Sequence, residues 1–464
     1  MNRRLIVSLL LAAACLQGQA KLPPYTKQTL PNGATLILLK KPDVPLVSVR
    51  AIFRGGVEAE PANLTGIAAL TAELVRRGTP TRSSEQVSLD LDSIGANLNG
   101  GSDRQASFLF TEYMARTQDR ALEIFSDVLL HPSFPEPEVK KVVAQAADRL
   151  RSIKDNPGAA IGRYYEAFYY PAAHPYHRSG SVTEESLTRL TRDEIIAFHK
   201  KNYTGKNLIL IAAGDFDPAK LGPVLAKLAG ELPAGPEFQP GKFAAPKFDS
   251  ARLLLVDKPD ATQTYFEIGM PGIDRTNRDR VPLMVLNTLF GGRFTSMLND
   301  ALRVNSGLTY GARSILEQDR HTGSIIISTY TRTDTTEKAV DMALDVLKKL
   351  SEQGIDAAQL ASAKAYIKGG FPTQRLETAD QLASVIGEME IYGLNKGEID
   401  DYFSRIDAIS LEEANVIAKK YYRDLNLQFC LLGNASKIQD SVKKYAPKMK
   451  VLSIKEPGFD PPSF

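Results

Sequence analysis

Ala69, Ala72 and Glu73 share one face of the stretch 66–79, where apolar Ile67, Leu70 and Leu74 recur at helical spacing. In the order H-x-x-E-H, that geometry offers two imidazoles to a zinc ion and a carboxylate that deprotonates the metal's water. Here the three positions hold Ala, Ala and Glu. A methyl group has no lone pair, so the stretch has the shape of a hydrolytic metal site without its chemistry. Asn63 or Thr65 is expected to cap the helix, and Gly78 to supply the left-handed residue where the chain leaves it. Glu73 is expected to be solvated or paired with Arg76 or Arg77.

Other residues offer chemistry of a different kind. Arg303 and Tyr310 lie seven apart around the break Asn305-Ser306-Gly307. A guanidinium and a phenol are both donors that can be aimed at developing negative charge. Spacing alone fits equally well an arginine on a helix surface and a tyrosine in a strand. His131, His174, His177, His199 and His321 are scattered, and none pairs with another at i, i+4 beside a carboxylate. His174 and His177 read as solvated or loop-pinning. No serine or cysteine hydrolase arrangement and no glycine-rich phosphate loop after a strand is present.

Several elements must position these groups. Alternation and β-branched content predict strands over 34–40 and 46–54; a hairpin from 95–101 into 107–113 and an apolar strand over 207–213 are also expected. Helices are expected over 84–94, 117–130, 137–155 and 158–169, and from the capping box Thr191-Arg192-Asp193-Glu194 to Lys201. Residues 231–250 carry Pro233, Pro236, Pro240 and Pro246 and read as a semi-rigid linker. The chain then repeats itself. Lys41-Pro42-Asp43 recurs 217 residues on as Lys258-Pro259-Asp260, and ALEIFSDVL at 121–129 recurs 218 on as AVDMALDVL at 339–347. Lys200-Lys201-Asn202-Tyr203 with Gly214 recurs 219 on as Lys419-Lys420-Tyr421-Tyr422 with Gly433. Three matches in order, at nearly constant offset, indicate duplication of a whole domain. The units are residues 21–230 and 251–464, each an α+β layer with an antiparallel-rich sheet covered by helices.

The 464 residues are 43% hydrophobic and 24% charged, with a formal charge of +3, an ordinary globular balance that favours neither nucleic acid nor an anionic membrane. Residues 1–20 read as a secretory leader: basic Arg3 and Arg4, an apolar core too short to span a bilayer, and Gly18-Gln19-Ala20 as a cleavage site. Export to the periplasm follows, with a lipid anchor at Cys15 as the other form of the signal. Once the leader is removed only Cys430 remains, in an apolar run, so no intrachain disulfide is available.

Residues 66–79 resemble the active-site helix of the pitrilysin/insulinase-like zinc peptidases, of the two-domain type related to the mitochondrial processing peptidase. Lys154-Asp155-Asn156-Pro157, His174-Pro175-Tyr176 with Thr183-Glu184-Glu185-Ser186-Leu187, and the stretch from Gly291-Gly292-Arg293-Phe294 to Gly307-Leu308-Thr309-Tyr310-Gly311 resemble the same family. The resemblance covers about residues 25–440 and implies a clam-shell of two such halves. It puts Ala69 and Glu73 where the histidine ligands belong, Ala72 at the catalytic glutamate, and Arg149, beside Asp148, near the third ligand. Glu73 and Asp148 could form at most a loose carboxylate pair, and Arg149 is a further partner for Glu73. The resemblance makes Arg303 and Tyr310 the catalytic pair that holds the substrate's main chain and stabilises the oxyanion. It implies a non-zinc subunit of a heterodimeric peptidase, with zinc in a homologous partner and none in this chain. A catalytically inert scaffold or peptide-binding protein of the same fold is the alternative. The hairpin 96–101 lies, by the same resemblance, beside an edge strand that could add a peptide to the sheet.

Overall fold

A computed structural model describes residues 20–464. The leader through residue 19, with Arg3, Arg4 and Cys15, lies outside the described residues. The first half builds one sheet from β1 (Thr26–Thr29), β2 (Thr35–Lys40), β3 (Leu46–Arg54), β4 (Asn97–Ser102), β5 (Ala106–Met114) and β6 (Leu208–Gly214), in the order β1-β2-β6-β3-β5-β4. The second half repeats it with β7 (Arg252–Asp257), β8 (Gln263–Pro271), β9 (Ala312–Leu316), β10 (Ser324–Arg332), β11 (Gln428–Gly433) and β12 (Lys448–Ser453), in the order β12-β7-β11-β8-β10-β9. Within each sheet the long-range pair β2–β6 or β7–β11 is parallel, and the hairpin pairs β4–β5 and β9–β10 are antiparallel. The two differ at one edge, where β1 runs antiparallel to β2 and β12 parallel to β7.

Five helices of the first half matter for the site: α1 (Ile67–Leu74), α2 (Ser84–Ser93), α3 (Gln118–Leu130), α4 (Glu136–Ile153) and α5 (Pro157–Tyr169). The helix Arg192–Asn202 begins with the expected capping box, Thr191 and Glu194 bonding each other's backbone N–H. Strand β6 is buried along its whole length and apolar on both faces, which requires cover on both sides of the sheet. One face, with Leu36, Val49, Leu208 and Leu210, packs under α1 and α3 through Ile67, Leu70, Ile124 and Val128. The other face, with Ile37, Leu39, Ile209 and Ile211, is covered by Leu382, Ile386 and Met389 of the helix Ala379–Tyr392 from the second half. The exchange is reciprocal. Ile161, Tyr164 and Phe168 of α5 join Leu254, Val256, Ile326 and Leu432 of the second sheet. Each half therefore completes the other's core.

Residues 231–251 carry no helix or strand. They are tied down nonetheless: Gly205 donates its N–H to the Pro233 carbonyl (2.8 Å), Phe238 its N–H to Asn207 Oδ1 (2.7 Å), and Asn426 Nδ2 donates to the Phe248 carbonyl (2.6 Å).

Candidate functional site

Helix α1 is shorter than the spacing suggested and is capped differently. It ends at Leu74, with Gly78 several residues beyond at φ +140°, outside the left-handed helical region. Neither Asn63 nor Thr65 caps it. Gly66 takes the cap position at φ +90°, and the carboxylate of Glu60 accepts the N–H groups of Gly66 (3.1 Å) and Ala68 (2.9 Å). A chain loop thus returns an acceptor to two orphan donors that no adjacent side chain reaches. Arg178 fixes the loop by donating to the Glu60 carbonyl (2.6 Å). Burial raises the pKa of Glu60 to about 7 against the lowering effect of its two N–H bonds.

Ala69 points from α1 into a cavity of about 1030 Å³ between the two halves. Glu73, Arg76 and Arg77 line it from the same segment, Gly100, Gly101 and Ser102 from β4, Arg149 from α4, and Glu166 from α5. Glu267 of β8, Arg313 of β9 and Glu317 close it from the second half. Ala72 is buried, its carbonyl so close to Gly100 that a Cβ there would sit 2.4 Å away. Glu73 is committed to two guanidiniums. Arg76 Nε donates to its Oε2 (3.0 Å) and Arg76 Nη2 to Oε1 (2.7 Å), and Arg77 Nε reaches Oε1 (2.8 Å). Asp148 lies off the cavity, exposed and bridged to Arg151 at 3.2 Å. The loose Glu73–Asp148 pair considered from sequence is therefore not formed, and Glu73 pairs with Arg76 and Arg77. A zinc site does not fit here, because a methyl, a doubly paired carboxylate and a guanidinium occupy the positions where three ligands would be required, and a second methyl occupies the position of the base. Among the described residues no three His, Cys, Asp or Glu side chains are grouped to hold a metal ion.

The rest of the lining mixes acids with arginines, Glu166, Glu267 and Glu317 beside Arg104 and Arg313. Burial first, and the Glu317 carboxylate second, push Glu267 up to about 7. Arg104 bridges the halves beside it, donating to Glu166 (2.9 Å) and Asp319 with its guanidinium over the Tyr176 ring at 4.7 Å. His174 and His321 are brought within 6.2 Å, ring to ring, among Tyr176 and Phe243. His174 is buried rather than solvated, and its Nδ1 accepts the Tyr176 N–H at 3.2 Å, which pins the loop. His177 pins it too, with Nδ1 2.9 Å from the Tyr170 carbonyl.

Arg303 lines a second, adjoining cavity of about 610 Å³ with Phe294, Gly311, Ser328, Tyr330 and Tyr366. Gly158 and Arg313 belong to both cavities. Arg303 sits in a π-helical turn, Asp300–Asn305, a widened geometry that is frequent at functional sites. Its guanidinium lies between two rings, 4.7 Å from Phe294 and 4.5 Å from Tyr310. Tyr310 is 75% exposed and Phe294 62%. Among the described residues neither Arg303's guanidinium nor Tyr310's hydroxyl has a hydrogen-bond acceptor. The pair is brought together but does not line the cavity of α1.

Glu60, Arg178 and the Arg104 network went unread in the sequence. Glu60 caps across six to eight residues, where no local signal operates, and Arg104 meets Asp319 across 215 residues.

The fold and this site define a duplicated peptidase-type chamber whose metal-bearing helix has lost its ligands. Two family models match it: insulinase (peptidase family M16) over residues 35–172 and the peptidase M16 inactive domain over 189–367. The chain belongs to the insulinase family, peptidase family M16. An uncharacterized zinc protease of Mycobacterium tuberculosis is 25% identical over 400 residues, covering 85% of this chain and 90% of its own. One of Bacillus subtilis is 22% identical over 401 residues, covering 86% and 96%. Among solved structures, a peptidase M16 inactive domain from Pseudomonas fluorescens superposes with a TM-score of 0.81 at 22% identity, covering 88% of this chain and 98% of that one. A protease from Helicobacter pylori superposes with a TM-score of 0.80 at 21% identity, covering 89% and 100%.

Proposed function

We propose that this chain is the non-zinc subunit of an exported, periplasmic heterodimeric peptidase whose homologous partner carries the zinc. The supporting observation is a division within one molecule. The α1 wall has no donor set for a metal, while Arg303 and Tyr310 are stacked and without acceptors, Tyr310 exposed and Arg303 half-buried. A guanidinium and a phenol without acceptors are available to a substrate held by a second chain.

In the assembled chamber the partner's metal centre supplies the activated water. This chain's part is positional and electrostatic. Arg303 and Tyr310 hold the peptide main chain and aim N–H and O–H donors at the carbonyl oxygen as it gains charge, and Phe294 keeps the guanidinium in place by stacking. Donors fixed in advance at such an oxygen cost no reorganisation during the reaction.

The test is reconstitution with a zinc-bearing homologue. The mixture is expected to cleave peptides that neither chain cleaves alone, and Arg303→Ala or Tyr310→Phe is expected to lower kcat about 10²-fold. Full activity with Arg303→Ala would remove the assigned role. Peptide binding with no cleavage in any mixture would favour the inert scaffold.

A further inference from the structure

The α1/α4 wall of the large cavity carries more positive charge than its own acids can balance. Arg76 and Arg77 share the single carboxylate of Glu73. Arg178 donates to the carbonyl of Glu60 and acts on its carboxylate. Arg149 is left over. It is exposed on α4, lines the cavity, and among the described residues its guanidinium makes no hydrogen bond, ion pair or ring contact. The arginines nearer the second half have partners: Arg104 bonds Glu166, and Arg313 faces Glu267.

Elsewhere in the lining the charges are paired: Arg104 bridges Glu166 and Glu317, and Glu267 faces Arg313. A ligand with a negative end is thus drawn to α4, where the guanidinium of Arg149 has no partner. The cavity is also bordered by β4, the outermost strand of its sheet. Gly100, Gly101 and Ser102 of this edge strand line the cavity.

We infer that Arg149 binds a carboxylate of a peptide held in this cavity, the guanidinium accepting the anionic end while the main chain lies along β4. The shared chemistry is a carboxylate, supplied either by the peptide's C-terminus or by an Asp or Glu side chain. A planar guanidinium matches a carboxylate with two parallel N–H donors, and hydrogen bonds to charged groups are the stronger kind. The inference rests on reading the cavity as a peptide chamber, but needs no partner subunit.

The experiment uses the full isolated chain and a short dansylated peptide of Ala, Ser and Val in three forms: free C-terminal carboxylate, C-terminal amide, and amide with a Glu near its end. Fluorescence anisotropy is expected to show the free acid binding about tenfold more tightly than the plain amide, a preference that shrinks with added salt. Arg149→Ala is expected to abolish the preference while leaving the amide's affinity unchanged, and Arg149→Lys to retain part of it. Binding of the Glu-bearing amide assigns the source: equal to the free acid, a side-chain carboxylate serves; equal to the plain amide, the C-terminus is required. Arg149 is exposed, so thermal melts of the variants should match the parent and exclude misfolding. Equal binding of acid and amide by the parent chain, or a preference that survives Arg149→Ala, overturns the role of Arg149 alone. Failure of all three peptides to bind overturns it together with the reading of the cavity as a peptide chamber.

Discussion

Gly387 lies so close to Ile52 that a Cβ added to the glycine would stand 2.4 Å from the isoleucine's Cδ1. The contact joins the helix Ala379–Tyr392 of the second half to β3 of the first. At the equivalent places of the duplicate the sizes are inverted. Gly269, 217 residues beyond Ile52 on β8, meets Tyr165 of α5, 222 residues before Gly387, and a Cβ on Gly269 would stand 2.0 Å from the tyrosine hydroxyl. Each lent helix crosses its host strand at one glycine, contributed by the helix in one interface and by the strand in the other.

The two glycines should tolerate a methyl differently. Ile52 can swing its terminal methyl aside, and alanine is favoured over glycine within a helix by about 1 kcal/mol, so Gly387→Ala is expected to be near neutral. A buried Tyr165 ring cannot yield in that way, so Gly269→Ala should cost about 1–3 kcal/mol, partly recovered with Tyr165→Phe. Urea midpoints of the three variants decide it, and equal losses for both alanines would contradict the argument.

Removing the bridge between the halves should be more damaging. Arg104→Met leaves Glu166, Glu317 and Asp319 without their shared cation in a site where burial already raises Glu166 and Asp319. A loss of about 3–5 kcal/mol is expected near neutrality. Protonation relieves stranded carboxylates, so the loss should shrink as pH falls and grow as it rises. A deficit independent of pH would mean that only packing was lost.

His199 gives a pH dependence of the opposite sign. It lies between the rings of Phe134 and Tyr203, and burial lowers its pKa from 6.5 to about 4. Between those values the unfolded chain takes up a proton that the folded chain refuses, so stability falls as pH drops from 6.5 towards 4. The contribution is about 3 kcal/mol at most. His199→Phe should flatten this part of the stability curve in denaturant titrations, and an unchanged slope would assign it elsewhere.

Restoring donors should restore metal. The triple variant Ala69→His, Glu73→His, Arg149→Glu places three ligands on the cavity wall and is expected to hold zinc stoichiometrically in chelator competition, where the parent chain is expected to hold none. The double variant Ala69→His, Glu73→His, which keeps Arg149, should lack tight binding. Tight binding by that double variant would show that α4 does not supply the third ligand.

Much of the architecture was legible before any coordinates. The alternating run at β3, the continuous apolar run at β6, the capping box at Thr191, and the repeat of strand and helix signals at 217–219 residues all reflect interactions between near neighbours in the chain, or the copying of them. The commitment of Glu73 to Arg76 and Arg77 was legible for the same reason, since residues three and four apart on a helix are neighbours. The cap of α1 was not, because Glu60 reaches back from a loop.

By itself the sequence determined that two halves would each fold as a sheet with helices, that Ala69 and Ala72 cannot ligate a metal, and that Arg303 and Tyr310 belong to one short segment. Those are properties of residue type and local spacing. The tertiary structure alone decided that each half would lend a helix to the other's sheet, and that Arg104 would bind the halves together. It also decided that Arg149 would face the cavity without a partner, and that Arg303 would open into a separate space. Each of these depends on which side chains meet across long stretches of chain. Such meetings follow from the shape of the packed halves, which no local pattern encodes.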